Sequence, residues 1–225
     1  MKIEKYSTSF GEFKVFANCK EIARAVREDR VFHPKVANWI KTNLKDNSSF
    51  IDIGANIGIY SVLISLEYPS VNTISLEAHP EVYSLLRDNK ELNSLDNMFL
   101  INNCASNRDG EVNYMERLID SHKGNYGNNK IVKKGEHKVI SIRTDSIKLE
   151  KPASVIKIDV QGFDFYALLG CDKIIEKDSP TIIIEWEPEM AVTYNHSFND
   201  VHLYLETFGY KLKEKYNKDY MFVKQ

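Results

Sequence analysis

The chain has 225 residues, 43% hydrophobic and 28% charged, which is enough apolar side chain for one continuous core and excludes a disordered or collagen-like chain. Thirty basic against 32 acidic side chains leave a net charge of -2, and no Lys/Arg block stands out to hold a phosphate backbone, so nucleic acid is disfavoured as a partner. The longest uninterrupted apolar run, Phe165 to Leu169, is far short of the roughly 18 residues needed to cross a bilayer.

The opening residues, MKIEKYSTSFGE, interleave charged and apolar side chains and lack the apolar stretch of a secretory leader, which sets the expected location as the cytoplasm. Cys19, Cys104 and Cys171 are odd in number and widely spaced, fitting neither a disulfide framework nor a zinc site. They read as reduced core thiols. Residues 19–45 carry two helical patterns broken at His33-Pro34, so residues 1–47 are expected to form a helical cover and residues 48–225 the rest of a single domain.

From Ser48 onward five Ile- and Val-rich runs alternate with helical patterns: SFIDIG, VNTISLE, MFLINN, SVIKIDV and TIIIEWE. This spacing predicts βαβ units and a parallel sheet covered on both faces, a doubly wound α/β fold. IYSVLISLEY and PEVYSLLRDNKEL read as crossover helices, the second opened by Pro80. Strands are predicted over residues 110–116 and 139–143, separated by a loop rich in Gly, Asn and Lys over 117–138 that could close over a ligand. A helix over 197–208, ended by Gly209, precedes two strands read as a terminal antiparallel hairpin.

The strongest chemical signal is Phe50-Ile-Asp-Ile-Gly-Ala-Asn-Ile-Gly58, a buried strand running into a glycine-bearing turn and then a helix. Gly54, Ala55, Asn56 and Gly58 would let a ligand approach the backbone at a helix N-terminus, at the carboxyl end of a strand. Asp52 makes a pyrophosphate a poor occupant, since an unpaired carboxylate there repels phosphate and suits an ammonium group, as in S-adenosylmethionine. Glu77 and Ala78 end the second strand, where an acid accepts hydrogen bonds from both ribose hydroxyls, in NAD as well as in S-adenosylmethionine. Asn103 and Cys104 follow the third strand, within reach of an adenine edge.

Lys157 and Asp159 stand at i and i+2 on one face of the fourth strand, and charges inside an apolar strand need a partner or a task. Glu185 ends the fifth strand and would lie beside Asp159 if the two strands are neighbours; the pair could orient a hydroxyl, share a proton or hold a divalent metal ion. Asp159, Glu185 and Lys157 are therefore the candidate catalytic residues. The six histidines show no metal-ligand spacing.

Taken together, F-I-D-I-G-A-N-I-G-I-Y-S, L-E-A-H-P and I-K-I-D-V-Q-G-F-D resemble the FkbM family of S-adenosylmethionine-dependent methyltransferases. The resemblance implies a class I methyltransferase fold, a mostly parallel seven-stranded sheet with one antiparallel strand and helices on both faces. It further implies an O-methyltransferase acting on hydroxyls of sugars or polyketides, of which a sugar hydroxyl in a glycan is the expected acceptor, with Asp52, Gly54, Asn56 and Gly58 at the methionine end of the cofactor, Glu77 at the ribose and Asp159 beside the transferred methyl. The chain departs from the family at Gln161, where an acid is usual, and at Asp164, which stands for the motif's last acid. Two other readings use the same residues: an NAD-dependent oxidoreductase, and a non-catalytic glycan- or partner-binding module with a vestigial pocket.

Overall fold

A computed structural model of the chain describes residues 2–115, 130–132 and 137–225. The central sheet has seven strands in the order β12-β13-β11-β10-β3-β4-β5: β3 (Ser49–Ile53), β4 (Asn72–Leu76), β5 (Met98–Ile101), β10 (Ala153–Ile158), β11 (Thr181–Glu185), β12 (Tyr210–Tyr216) and β13 (Asp219–Lys224). All five predicted runs are parallel neighbours in this sheet, and the terminal hairpin adds β12 and β13 to its edge. Only β13 runs against the others, pairing antiparallel with both β11 and β12.

Side-chain alternation divides the core in two. One cluster joins Phe50, Val155, Ile183 and Met221 to α3 (Ile59–Glu67) and α4 (Pro80–Leu92), and to α1 (Lys20–Arg27) and α2 (Pro34–Asn43), which precede the sheet in the chain. On the opposite face Ile51, Ile53, Ile156, Ile158, Ile182 and Ile184 pack on α5 (Asp164–Leu169), α6 (Asp172–Asp178) and α8 (Phe198–Thr207). A further helix, α7 (Pro188–Ala191), follows β11. Strands buried on both sides explain the near-continuous apolar runs.

The expected all-helical cover is corrected by the structure. Residues 3–16 form an antiparallel hairpin, β1 (Ile3–Thr8) and β2 (Gly11–Phe16), and only then do α1 and α2 follow. The interleaving of charged and apolar residues at the start of the chain is the period of a strand, with Phe13 and Val15 turned inward and fully buried. The hairpin docks on α4 through two amides one helical turn apart. Asn89 accepts from the Lys14 N–H at 2.7 Å and donates to the Lys14 carbonyl at 3.1 Å, while Asn93 does the same to Glu12 at 2.8 and 2.7 Å. A helical rise of about 6 Å over four residues nearly matches the advance of two residues along a strand, so both amides meet the free edge of β2. Asn89 also donates to the Ile57 carbonyl at 2.8 Å.

The segment after β5 leaves the central sheet. Strands β6 (Cys104–Ala105), β7 (Gly110–Met115), β8 (Lys130–Val132) and β9 (His137–Ile142) make a separate four-stranded sheet in the order β6-β9-β7-β8. Of the loop expected over 117–138, residues 130–132 and the first residues of β9 are strand, and residues 117–129 and 133–136 lie outside the described residues. Among the described residues no helix is long and apolar enough to cross a membrane.

Candidate active site

Strand register assembles the site. Ile53, Leu76, Ile158 and Ile184 stand level across β3, β4, β10 and β11, so the next residue of each strand, Gly54, Glu77, Asp159 and Glu185, emerges on one edge. Here, outside the carboxyl ends of the parallel strands, lies a cavity of about 410 Å³. Gly54, Ala55, Asn56, Glu77, Ala78, Asn103, Cys104, Lys157, Asp159 and Glu185 all line it. Asp52 and Gly58 do not.

The glycine turn is held by its backbone. The N–H groups of Gly54 and Ala55 both donate to the Leu76 carbonyl, at 3.0 and 2.9 Å. Gly54 has φ +79° and passes so close to β10 that a Cβ there would sit 1.9 Å from the Asp159 carbonyl oxygen. Only glycine fits. Gly58, at φ +92°, instead begins α3 with its backbone against Leu86.

Glu77 is fixed by two backbone donors, the Asn56 N–H on Oε2 at 2.9 Å and the His79 N–H on Oε1 at 2.8 Å. Each oxygen keeps a further lone pair, the arrangement needed to receive two vicinal hydroxyls. Burial pushes its pKa up to about 7 against the pull of those two donors. His79 is the cap of α4, its Nδ1 accepting from the Glu81 and Val82 N–H groups at 3.1 and 3.4 Å. Cys104 is a buried thiol whose pKa is raised by burial to about 12, so it is no nucleophile.

Under the cavity a polar row crosses the sheet. Lys157, Asp52 and Ser75 are cross-strand neighbours on β10, β3 and β4, on the face covered by α3. The carboxylate of Asp52, expected to stand unpaired, is fully buried and paired: it accepts from Ser61 of α3 at 2.6 Å and lies 3.7 Å from the Lys157 ammonium. Ser75 in turn donates to Ser61 at 2.8 Å. Asp52 reaches the cavity only through Lys157, which bonds Asp159 at 3.1 Å and stands 5.2 Å from the centre of the Tyr60 ring.

Asp159 and Glu185 are adjacent and hydrogen-bonded, as the neighbouring strands foreshadow. Burial opposes ionisation of Asp159, but Lys157, Glu185 and Gln161 outweigh it and hold the carboxyl below its ordinary range. Burial and the Asp159 charge drive Glu185 the other way, far above the usual carboxylate range. At neutral pH Glu185 is thus the proton donor and Asp159 the acceptor. Gln161, where the motif it resembles has an acid, helps hold the Asp159 carboxyl below its ordinary range. Asp164 ties the same turn, accepting from the Val160 and Gly162 N–H groups, each at 2.8 Å. Among the described residues no three His, Cys, Asp or Glu side chains converge as a metal site would need.

The other wall comes from segments that carry no motif. Glu21 and Ile22 of α1, Phe32 and His33 before α2, Glu187 after β11, and Asn217 and Lys218 in the β12–β13 turn all line the cavity. Lys218 is paired with Glu187. The Phe-His pair ahead of a helix-starting proline was the one trace of this wall in the sequence, and periodicity reads it only as a helix boundary.

Comparison with solved structures finds the same architecture at low identity. An FkbM methyltransferase from Methylobacillus flagellatus KT superposes with a TM-score of 0.55 at 16% identity over 80% of this chain, which spans only 44% of that structure's chain. Precorrin-6y C5,15-methyltransferase from Geobacter metallireducens GS-15 gives 0.51 at 15% identity, covering 85% of this chain and 88% of that one. SMU.1697c from Streptococcus mutans, solved in complex with SAH, gives 0.52 at 12%, covering 84% and 94%. The comparison with curated proteins returned no match. These likenesses establish a class I methyltransferase fold, and the family model described as "Methyltransferase FkbM domain" matches residues 52–212, most of the chain and every strand-end residue of the cavity. The chain belongs to the FkbM methyltransferase family.

Proposed function

We propose that this chain is an S-adenosylmethionine-dependent O-methyltransferase whose acceptor is a hydroxyl group, that of a sugar in a glycan or glycoconjugate. The observation that carries the reading is Glu77, whose carboxylate is oriented by two backbone N–H groups on the rim of the cavity and is suited to a ribose diol. The residues fit the cofactor: Gly54 to Asn56 for its methionine end, Glu77 and Ala78 for the ribose, Asn103 and Cys104 beside the adenine. When bound, S-adenosylmethionine supplies an electrophilic methyl group on a sulfonium.

The chain's own part is then positioning. Lys157 keeps Asp159 ionised and aimed, so Asp159 can accept a hydrogen bond from an ammonium or from the acceptor hydroxyl. Its lowered pKa suits it to orientation better than to taking a proton from an alcohol. Glu185, protonated, stands beside Asp159 on the neighbouring strand and shares a hydrogen bond with it. A divalent ion held by Asp159 and Glu185 is the alternative use of the same pair. The far wall mixes an apolar face, Ile22 and Phe32, with Glu21, Glu187, Asn217 and Lys218, a lining suited to a ring bearing several hydroxyls. We place the protein in the cytoplasm, in keeping with three buried cysteines that form no disulfide, and propose neither nucleic acid nor membrane as a partner.

Calorimetric titration with S-adenosylhomocysteine tests the reading, with NAD as control. The wild type should bind in the micromolar range, and Glu77→Ala should weaken binding by about 1–3 kcal/mol. Binding of NAD in preference, or no binding of S-adenosylhomocysteine, would refute it.

A further inference from the structure

Resting on the reading of a hydroxyl acceptor, we propose that His33 is the catalytic base that takes the acceptor's proton on Nε2, with Asp219 as its positioning residue. His33 lines the same cavity as Asp159 and Glu185, and its imidazole has two neighbours that orient it. Its Nδ1 lies 3.5 Å from Oδ2 of Asp219, whose side chain is 6% exposed while that of His33 is 35% exposed. That Oδ2 is buried and has no hydrogen-bond partner among the described residues, so the imidazole N–H is the donor on offer to it. Phe32 stacks on the ring at 4.1 Å between centroids and 15° between planes, which fixes its tilt. The His33 backbone is left-handed, with φ +44°, a conformation a non-glycine residue keeps only when its surroundings demand it.

Topology makes the pairing possible: Asp219 opens β13 directly opposite Glu185, so the dyad sits one strand beyond the carboxyl pair. The charged groups that share this wall are Glu21 from α1, Glu187 after β11 and Lys218 from the β12–β13 turn, the last two paired with each other. Asp159 is poorly suited to be the base, because the Lys157 ammonium bonds it at 3.1 Å and holds its carboxyl below the ordinary range. With Nδ1–H facing Asp219, the lone pair of neutral His33 is on Nε2. In the step, the hydroxyl proton passes to Nε2 and the acceptor oxygen's electron pair forms the bond to the methyl carbon. The electron pair of the broken methyl–sulfur bond stays on sulfur, and the imidazolium is left facing the Asp219 carboxylate.

The test has two arms, both on the full chain loaded with S-adenosylhomocysteine or S-adenosylmethionine. In the first, ¹⁵N shifts of the histidine rings, with His33 assigned by its loss in His33→Gln, report which nitrogen carries the proton. The Nδ1–H tautomer is expected in the wild type and its loss in Asp219→Asn. In the second, methyl transfer to a panel of methyl glycosides is followed by mass spectrometry. His33→Gln should lower kcat by about 100-fold or more with S-adenosylhomocysteine affinity unchanged, and Asp219→Asn should lower kcat with KM unchanged. An Nε2–H tautomer in the wild type overturns the proposal whether or not a glycoside is methylated, and so does a His33→Gln variant whose kcat stays within about threefold. Absence of S-adenosylhomocysteine binding by the wild type is a separate result, and it removes the methyl-transfer reading and this proposal together.

Discussion

Replacing Gly54 by alanine tests the contact on which the floor of the site depends. The added Cβ would lie 1.9 Å from the Asp159 carbonyl oxygen and 2.9 Å from its carbon, both backbone atoms that no rotamer change can clear. The variant carries two costs: about 1–2 kcal/mol for a side chain in the left-handed region, and about 1–3 kcal/mol for overpacking that forces β3 and β10 apart. The sum is about 2–5 kcal/mol, set against a typical domain stability of about 5–15 kcal/mol, so the variant should still fold. Gly209 is the internal control, since it has φ +80° and open space where its Cβ would go. Gly209→Ala therefore carries the conformational cost alone. Urea unfolding of both variants isolates the collision as their difference, about 1–3 kcal/mol. Equal stability of the two, within about 0.5 kcal/mol, would refute the close approach of the strands and the placement of Asp159 derived from it.

Lys157→Met should destabilise the protein by about 3–5 kcal/mol in thermal or urea unfolding, because it leaves Asp52 and Asp159 without their shared cation in the interior. Burial raises Glu77 from 4.5 and Asp164 from 3.8, each to about 7. Groups raised in this way bind protons more tightly in the folded chain, so their stabilising contribution is complete below the unfolded values and is lost as pH rises through about 7. The thermal midpoint of the free protein should accordingly fall from about pH 4.5 to above pH 7, and Asp164→Asn should flatten that slope. Affinity for S-adenosylhomocysteine should move the opposite way over the same range, rising as Glu77 ionises, with calorimetry at two pH values as the check.

The central sheet was legible because its strands are buried on both faces and their Ile- and Val-rich runs are separated by helix-length spacers, a pattern few other folds produce. Glu77, Asp159 and Glu185 were legible for a related reason: strand ends in such a sheet converge, so an acid at each end has somewhere to act. Asp52 shows the limit. One residue of alternation turns it onto the α3 face, and nothing in the one-dimensional sequence says that Lys157 and Ser61 will be level with it. The N-terminal hairpin escaped because two short strands of alternating charge look the same as a solvated leader until the helix that receives them is known. Phe32, His33, Asn217 and Lys218 escaped because they meet only through the long-range packing of both chain ends on the sheet, which the helix-boundary signal at Phe32-His33 does not encode.

The two amides of α4 that pair with β2 also decide which register the hairpin can adopt. A free strand edge is an invitation to a foreign strand, and a slip by one residue turns every side chain to the wrong face. Asn89 and Asn93 close that edge by pairing with the backbone of Lys14 and Glu12, so a slip by one residue would turn those groups away and leave both amides, Asn89 fully buried, without partners. Asn89 simultaneously grips the Ile57 carbonyl in the glycine turn. The segment with no motif of its own is therefore proofread by the same side chain that anchors the motif, and shortening the chain at its N-terminus would loosen the glycine turn some 40 residues further along.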